Sequence, residues 1–144
     1  MKISSPASHE DFEKYFELRW RVLRKPWNQP IGSEQDDLEK QSYHVMAMDE
    51  HNNVIGCGRL HFIDDNHAQI RYMAVAPDHE KQGIGKMILD KLEKYAAKKG
   101  ANEITLHARE NAVSFYLRAG YLLAGKSHLL FDSIQHFKMT KHFS

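Results

Sequence analysis

The chain has 144 residues with 20 basic and 19 acidic side chains, a net charge of +1, and is 42% hydrophobic and 27% charged. Such a length and composition suit one globular domain, residues 1–144, large enough to bury a real core. The near-neutral balance excludes the electrostatic footprint of a nucleic-acid binder or of a protein held on an anionic membrane, and no apolar run approaches the ~20 residues of a membrane span.

Met1-Lys2-Ile3-Ser4 does not open a signal peptide. The one cysteine, Cys57, cannot form an internal disulfide, so a reducing, cytoplasmic location is expected. Ten histidines are scattered without zinc-site spacing, and no metal is expected.

Met1 to Ser5 alternates weakly and reads as a short first strand. Ser8 then caps a helix, with Asp11 three residues on to close a capping box. Phe12, Phe16, Leu18, Val22 and Leu23 supply its apolar face. Arg19, Arg21, Arg24 and Lys25 crowd its C-terminal end, where cations suit the dipole, and Pro26 stops it. Trp27 to Gly32 is a loop with one large aromatic. Ser33-Glu34-Gln35-Asp36 reads as a second N-cap, followed by a short acidic helix through Glu39. Its carboxylates Asp36, Asp37 and Glu39 either face solvent or attract a cationic amine, since alkyl amines are mostly protonated at neutral pH.

Tyr43–Asp49 and Val54–Ile63 alternate on either side of the turn His51-Asn52-Asn53, a β-hairpin. Gly56 and Gly58 inside its second strand mark a bulge or a close backbone approach. Asp64-Asp65-Asn66 turns into another strand, Ala68 to Val75, stopped by Pro77.

Beyond that strand lies Gln82-Gly83-Ile84-Gly85-Lys86, a glycine turn leading into an amphipathic helix from Ile84 to Lys98. Ile84, Ile88, Leu92 and Tyr95 recur on one face of this helix, with Leu89 and Ala96 beside them. Asp90 and Lys94 form a favourable i,i+4 pair on the outside, and Gly100 ends it. A strand, a glycine loop and a free helix N-terminus make an anion site, because the first backbone N–H groups lack helical partners and the macrodipole favours negative charge. The loop seats a ligand's phosphates. It is not a Walker A loop, since Glu80 and Met87 stand where glycine and Ser or Thr are needed. It is not a dinucleotide fingerprint, since Ile88 replaces the third glycine, and Gly83 excludes the zinc-protease pattern begun by His79-Glu80.

Glu103 to Ala108 is a strand, so strand, helix and strand form a right-handed parallel crossover with the glycine loop at the carboxyl ends of the strands. Asn111 to Ala119 is a short helix closed by Gly120. Tyr121 to Gly125 and Ile134 to Met139 read as two last strands, joined by a long hydrophobic loop, His128 to Asp132. The order predicts an α+β domain with a mixed, mostly antiparallel sheet.

Two stretches together resemble the GNAT superfamily of acyl-CoA N-acyltransferases. Ala74-Val75-Ala76-Pro77 followed by Glu80-Lys81-Gln82-Gly83-Ile84-Gly85 looks like its acyl-CoA loop, with Glu80 where that family has Arg or Gln. Leu106-His107-Ala108-Arg109-Glu110-Asn111-Ala112-Val113-Ser114-Phe115-Tyr116, running on to Gly120-Tyr121, is similar to its second acyl-CoA motif, in which Asn is followed by a Phe-Tyr pair and then Gly-Phe or Gly-Tyr. The pair spans Ile70 to Tyr121, about a third of the chain. Glu80 opposes an adjacent pyrophosphate unless it points to solvent, while His79, Lys81 and Lys86 keep the local balance positive.

The resemblance implies the GNAT fold, with splayed central strands, and acetyl transfer from acetyl-CoA to a primary amine by direct attack in a ternary complex. It implies backbone pairing of Met73, Ala74 and Val75 with the pantetheine arm, and a phosphate cradle of Lys81, Gln82, Gly83, Ile84, Gly85 and Lys86. Asn111 and Phe115 would stand along the cofactor, and Tyr116 beside the thioester sulfur as catalytic acid. A strand N–H near Met73 or Val75 would hold the oxyanion. His61, His107, His136 or a water is left as general base. Arg71 stands where the family sometimes places a carboxylate base, and so marks a base elsewhere or an acidic acceptor. Cys57 has no Cys-His-acid pattern around it. The partners implied are a small-molecule or peptide amine and, in some members, a second copy in a homodimer. The alternative is a non-catalytic acyl-CoA-binding or regulatory module of the same fold.

Overall fold

A computed structural model describes residues 1–143. Seven strands form one sheet: β1 (Lys2–Ser4), β2 (Tyr43–Met48), β3 (Val54–Asp64), β4 (His67–Val75), β5 (Glu103–Arg109), β6 (Leu122–Leu130) and β7 (Ile134–His142). Their spatial order is β1-β2-β3-β4-β5-β7-β6, and only the β4–β5 pair is parallel. The helices are α1 (His9–Leu23), α2 (Ile84–Lys98) and α3 (Val113–Arg118). The mixed, mostly antiparallel sheet expected from the sequence is present.

α1 opens on the expected capping box, Ser8 accepting from Asp11 N–H while the Asp11 carboxylate accepts from the backbone of Ala7 and Ser8. Its C-terminal arginines do not all serve the dipole. Arg19 is fully buried, its guanidinium reaching Glu39 at 2.9 Å and the Tyr15 hydroxyl at 3.0 Å. α2 keeps its predicted bounds and buries Ile84, Ile88, Leu89, Leu92 and Ala96. The pair on its outer face is Lys86–Asp90 at 3.2 Å, rather than Asp90–Lys94.

The central strand β3 is covered on both faces, which explains its two glycines. A Cβ on Gly56 would stand 2.8 Å from Ile88, and one on Gly58 2.7 Å from the Met73 sulfur and 2.8 Å from Ile88. The opposite face of β3 carries Cys57 and Arg59 towards α1. Both expected devices therefore occur, since the β3–β4 register also slips between Cys57 and Arg59.

Two expectations fail. The acidic helix from Ser33 to Glu39 does not form; turns occupy the segment, with a single 3₁₀ turn at Glu39–Gln41. Its carboxylates capture local backbone instead, Asp36 accepting from Leu38 N–H at 2.9 Å and Glu39 from Asp36 N–H at 3.0 Å, a competition that Asp and Asn side chains often win against helix. The hydrophobic segment from His128 is not a loop as far as Leu130 but the end of β6. The reversal is confined to a tight turn in which Phe131 and Asp132 take positive φ, 53° and 55°.

Candidate active site

β4 organises the site through one irregularity. Tyr72 takes φ 60° in the middle of the strand, and the two residues Tyr72 and Met73 sit against the single Gly58 of β3, a bulge that re-aims the strand. Pairing between β4 and β5 stops at Ile70 opposite Leu106. Beyond that point the two strands part. Ala76 N–H donates to Ile55 O on the β3 side, so by strand alternation the amides of Met73 and Val75 face the gap towards β5.

A cleft of about 620 Å³ fills one side of this gap. Met73, Ala74, Val75, Lys81, Gly83, Ile84, Gly85, Lys86, Asn111, Phe115 and Tyr116 line it, so every residue nominated for the acyl donor but Gln82 faces one space. Gln82 is exposed and lies outside that lining. The loop geometry follows from its residues. Lys81 and Gly83 take φ 63° and 81°, and α2 starts at Gly83 with no side-chain cap. Met87 N–H is the first in the helix to find a backbone acceptor, Gly83 O at 3.1 Å. The preceding amides are left as donors into the cleft. A Cβ at Gly83 would meet nothing within 4 Å, whereas one at Gly85 would stand 3.3 Å from Phe115, so the second glycine serves helix packing and the first an open approach.

Tyr116 is buried, packed edge-on against Phe115 and Tyr121 at ring separations of 4.9 and 5.7 Å. Burial pushes its phenol well above the ordinary value, so it stays protonated.

A second cleft, of about 530 Å³, lies on the other side of the gap and shares Met73–Val75, Glu80, Asn111 and Tyr116 with the first. Glu80 is exposed and, among the described residues, is the only carboxylate lining either cleft. His107, His128 and His136 cluster along this second cleft, with rings 5.5 and 4.2 Å apart. Burial holds His136 down to about 4 although its Nδ1 bonds Ile134 O, and His107 is lowered mainly by burial and then by His128. Both are neutral at pH 7. His107 Nδ1 is buried without a hydrogen-bond partner among the described residues. His61 sits apart. It bonds Arg59 and lines a separate depression with Leu38 and Gln41.

Two of the three acidic residues nominated to attract an amine are otherwise engaged, and the third, Asp37, is exposed. Asp36 accepts from Arg59 at 2.6 and 3.1 Å and from Arg71 at 2.9 Å, and Glu39 bridges Arg19 and Arg59 at 2.9 and 3.0 Å. Arg71 thus holds Asp36. Cys57 is buried, donates to Tyr72 O, and is pushed up to about 11 by burial, which leaves a poor nucleophile. The sequence reading missed Arg24, Arg109 and His128, all on the second cleft. Arg109 lies within the stretch that carries the second motif but was given no role of its own; Arg24 was assigned to the helix dipole, and nothing local in the sequence links the two.

Comparison with known proteins is consistent with this geometry. The model of the Acetyltransferase (GNAT) family matches residues 12–121. The uncharacterized N-acetyltransferase YjcF of Bacillus subtilis (strain 168) is 33% identical over 141 residues, covering 98% of this chain and 99% of that protein. Among solved structures, an aminoglycoside 6'-N-acetyltransferase complexed with coenzyme A superposes with a TM-score of 0.82 at 17% identity, over 99% of this chain and 97% of that one. An acetyltransferase of GNAT family from Staphylococcus aureus Mu50 gives 0.79 at 18% identity, over 99% of both chains. A family match across some three-quarters of the sequence, including both motifs, and a relative 33% identical over nearly its whole length lead to one conclusion: the chain belongs to the acetyltransferase (GNAT) family.

Proposed function

We propose that the protein transfers an acetyl group from acetyl-CoA to a primary amine by direct attack, both substrates meeting across the gap between β4 and β5. The observation that carries this is the coincidence, in one cleft, of an uncapped helix N-terminus and an unpaired strand edge. A pyrophosphate needs the former and a pantetheine amide chain the latter, which would add to β4 like another strand. The coenzyme A complex of the superposable aminoglycoside acetyltransferase supports the same donor.

In this reading the amides from Gln82 to Lys86 receive the phosphates, Lys81 adding charge at the loop. Met73 and Val75 present their amides to the donor chain, one of them serving the oxyanion as the thioester carbonyl is attacked. Asn111 and Phe115 flank the arm. Tyr116 gives its proton to the departing thiolate. His107, neutral and facing the second cleft, takes the proton from the amine directly or through water. Holding both substrates across one gap supplies proximity.

Thermal unfolding with acetyl-CoA, against ATP and NAD, is the test. At 100 times its dissociation constant a ligand stabilises a fold by about 2.7 kcal/mol, several degrees in the melting temperature for a chain of this size. A shift with acetyl-CoA but not the controls, followed by CoA release on adding an amine, is expected. No shift at millimolar acetyl-CoA would end the reading. A shift without CoA release from any amine would leave a binding module.

A further inference from the structure

We infer that the acceptor amine carries an anionic group of its own, a carboxylate or a phosphate, received by the guanidinium groups of Arg24 and Arg109. The inference rests on the acyl-transfer reading and specifies its second substrate.

Arg24 follows α1, and Arg109 ends β5; both line the second cleft. They converge on one atom, Arg24 Nη1 donating to Leu23 O at 3.1 Å and Arg109 Nη2 to the same oxygen at 3.0 Å. Arg24 Nε also donates to Ser33 O at 3.0 Å, and the Arg109 guanidinium lies 4.6 Å over the Trp27 ring. Backbone and aromatic contacts therefore fix both side chains. Neither has a carboxylate within 4.0 Å among the described residues, although Arg24 is buried and Arg109 partly so. The fully buried Arg19 has one and Arg59 has two. Glu34, a nearby carboxylate, is turned to Gly32 N–H and the Gln35 amide, each at 2.8 Å.

Two like charges side by side, out of water and without a counterion, are unfavourable unless a ligand supplies one. Burial and then Arg24 hold Arg109 down to about 10, the direction an unpaired cation takes. Guanidinium forks match carboxylate and phosphate oxygens two at a time. Arg71 lines the same cleft but is held by Asp36. The single carboxylate of the lining, Glu80, belongs also to the donor-side cleft, where the amine must meet the thioester. A polycation would face this cleft's arginines. An amine with an attached anion would find a partner for each end.

The test uses the full chain and amines that differ only in the anion: phenylalanine against phenylalaninamide, and phosphoethanolamine against ethanolamine, with spermidine and kanamycin as cationic controls. At least one anionic member is expected to exceed its neutral partner about tenfold or more in kcat/KM, the scale of one or two charge-assisted hydrogen bonds; which pair responds tells carboxylate from phosphate. Arg109→Gln should collapse that ratio through KM with kcat little altered, and Arg109→Lys should restore part of it. Neutral or cationic amines equal to or better than the anionic ones would overturn the inference, as would an unchanged ratio in Arg109→Gln. If acetyl-CoA neither stabilises the protein nor is consumed, the acyl-transfer reading falls by itself. Calorimetric titration with the same pairs then decides the anion site, and equal binding of charged and neutral partners rejects it.

Discussion

Asp36 shows how far a single side chain can depart from what its neighbours in sequence suggest. Surrounded by Gln35 and Asp37 it reads as a surface residue, yet it joins Arg59 and Arg71 and lies within 3.5 Å of the Tyr72 hydroxyl. The Tyr72 ring in turn packs beneath the guanidinium groups of Arg19, Arg59 and Arg71 at 4.4 to 4.9 Å. Burial would raise the Asp36 carboxyl, but hydrogen bonds from Arg59 and Leu38 N–H overcome it and bring it to about 2. Its folded value is thus depressed below the usual 3.8, so its contribution is complete above that pH and is lost as pH falls through about 2. The loss amounts to about 2 kcal/mol, and urea midpoints measured from pH 5 to pH 2 should record it. Asp36→Asn should flatten that slope. At neutral pH it should cost about 3 kcal/mol or more, because it leaves the fully buried Arg59 with only Glu39 as counterion. Tyr116→Phe separates chemistry from packing at the same scale. The ring contacts remain while the proton is removed, so turnover should fall about 100-fold with CoA affinity nearly intact. Equal turnover would take Tyr116 out of the mechanism.

Among elements, β3 and α2 depend on each other through glycine. Gly58 admits both the Met73 sulfur and Ile88 where a Cβ would overlap them, so Gly58→Ala should destabilise by about 1–3 kcal/mol and disturb the bulge that parts β4 from β5. Chemical denaturation gives the first quantity, and loss of acetyl-CoA stabilisation beyond the change in fold stability gives the second. Gly83→Val acts differently. Its Cβ would meet no protein atom within 4 Å, and it projects at the exposed start of α2 from a left-handed φ. Stability should fall by about 1–2 kcal/mol from backbone strain, while acetyl-CoA affinity should fall by a larger factor because the phosphate approach is filled. Unchanged CoA binding would move the phosphate site elsewhere.

For the whole molecule, four regular features were readable because they are local. The capping box at Ser8, the bounds of α2, the hairpin and the crossover each rest on residues within a few turns of one another. The first cleft was legible for the same reason, since the residues nominated for it fall in two short stretches that one crossover brings together. The second cleft draws on the end of α1, β4, the end of β5 and the β6–β7 hairpin, which are distant in sequence. The amphipathic pattern, turn residues and glycine spacing therefore determined the mixed α+β class and the uncapped start of α2, whereas the nomination of Tyr116 came from the resemblance of two short motifs to a known family. Tertiary structure alone decided that Arg19, Arg59, Asp36 and Glu39 form a buried network, that β4 bulges at Tyr72, and that Arg24 and Arg109 converge. The physical reason is that hydrophobic period and turn chemistry are carried by neighbours along the chain, whereas the pairing of buried charges depends on which distant side chains the packed sheet brings within a few ångströms.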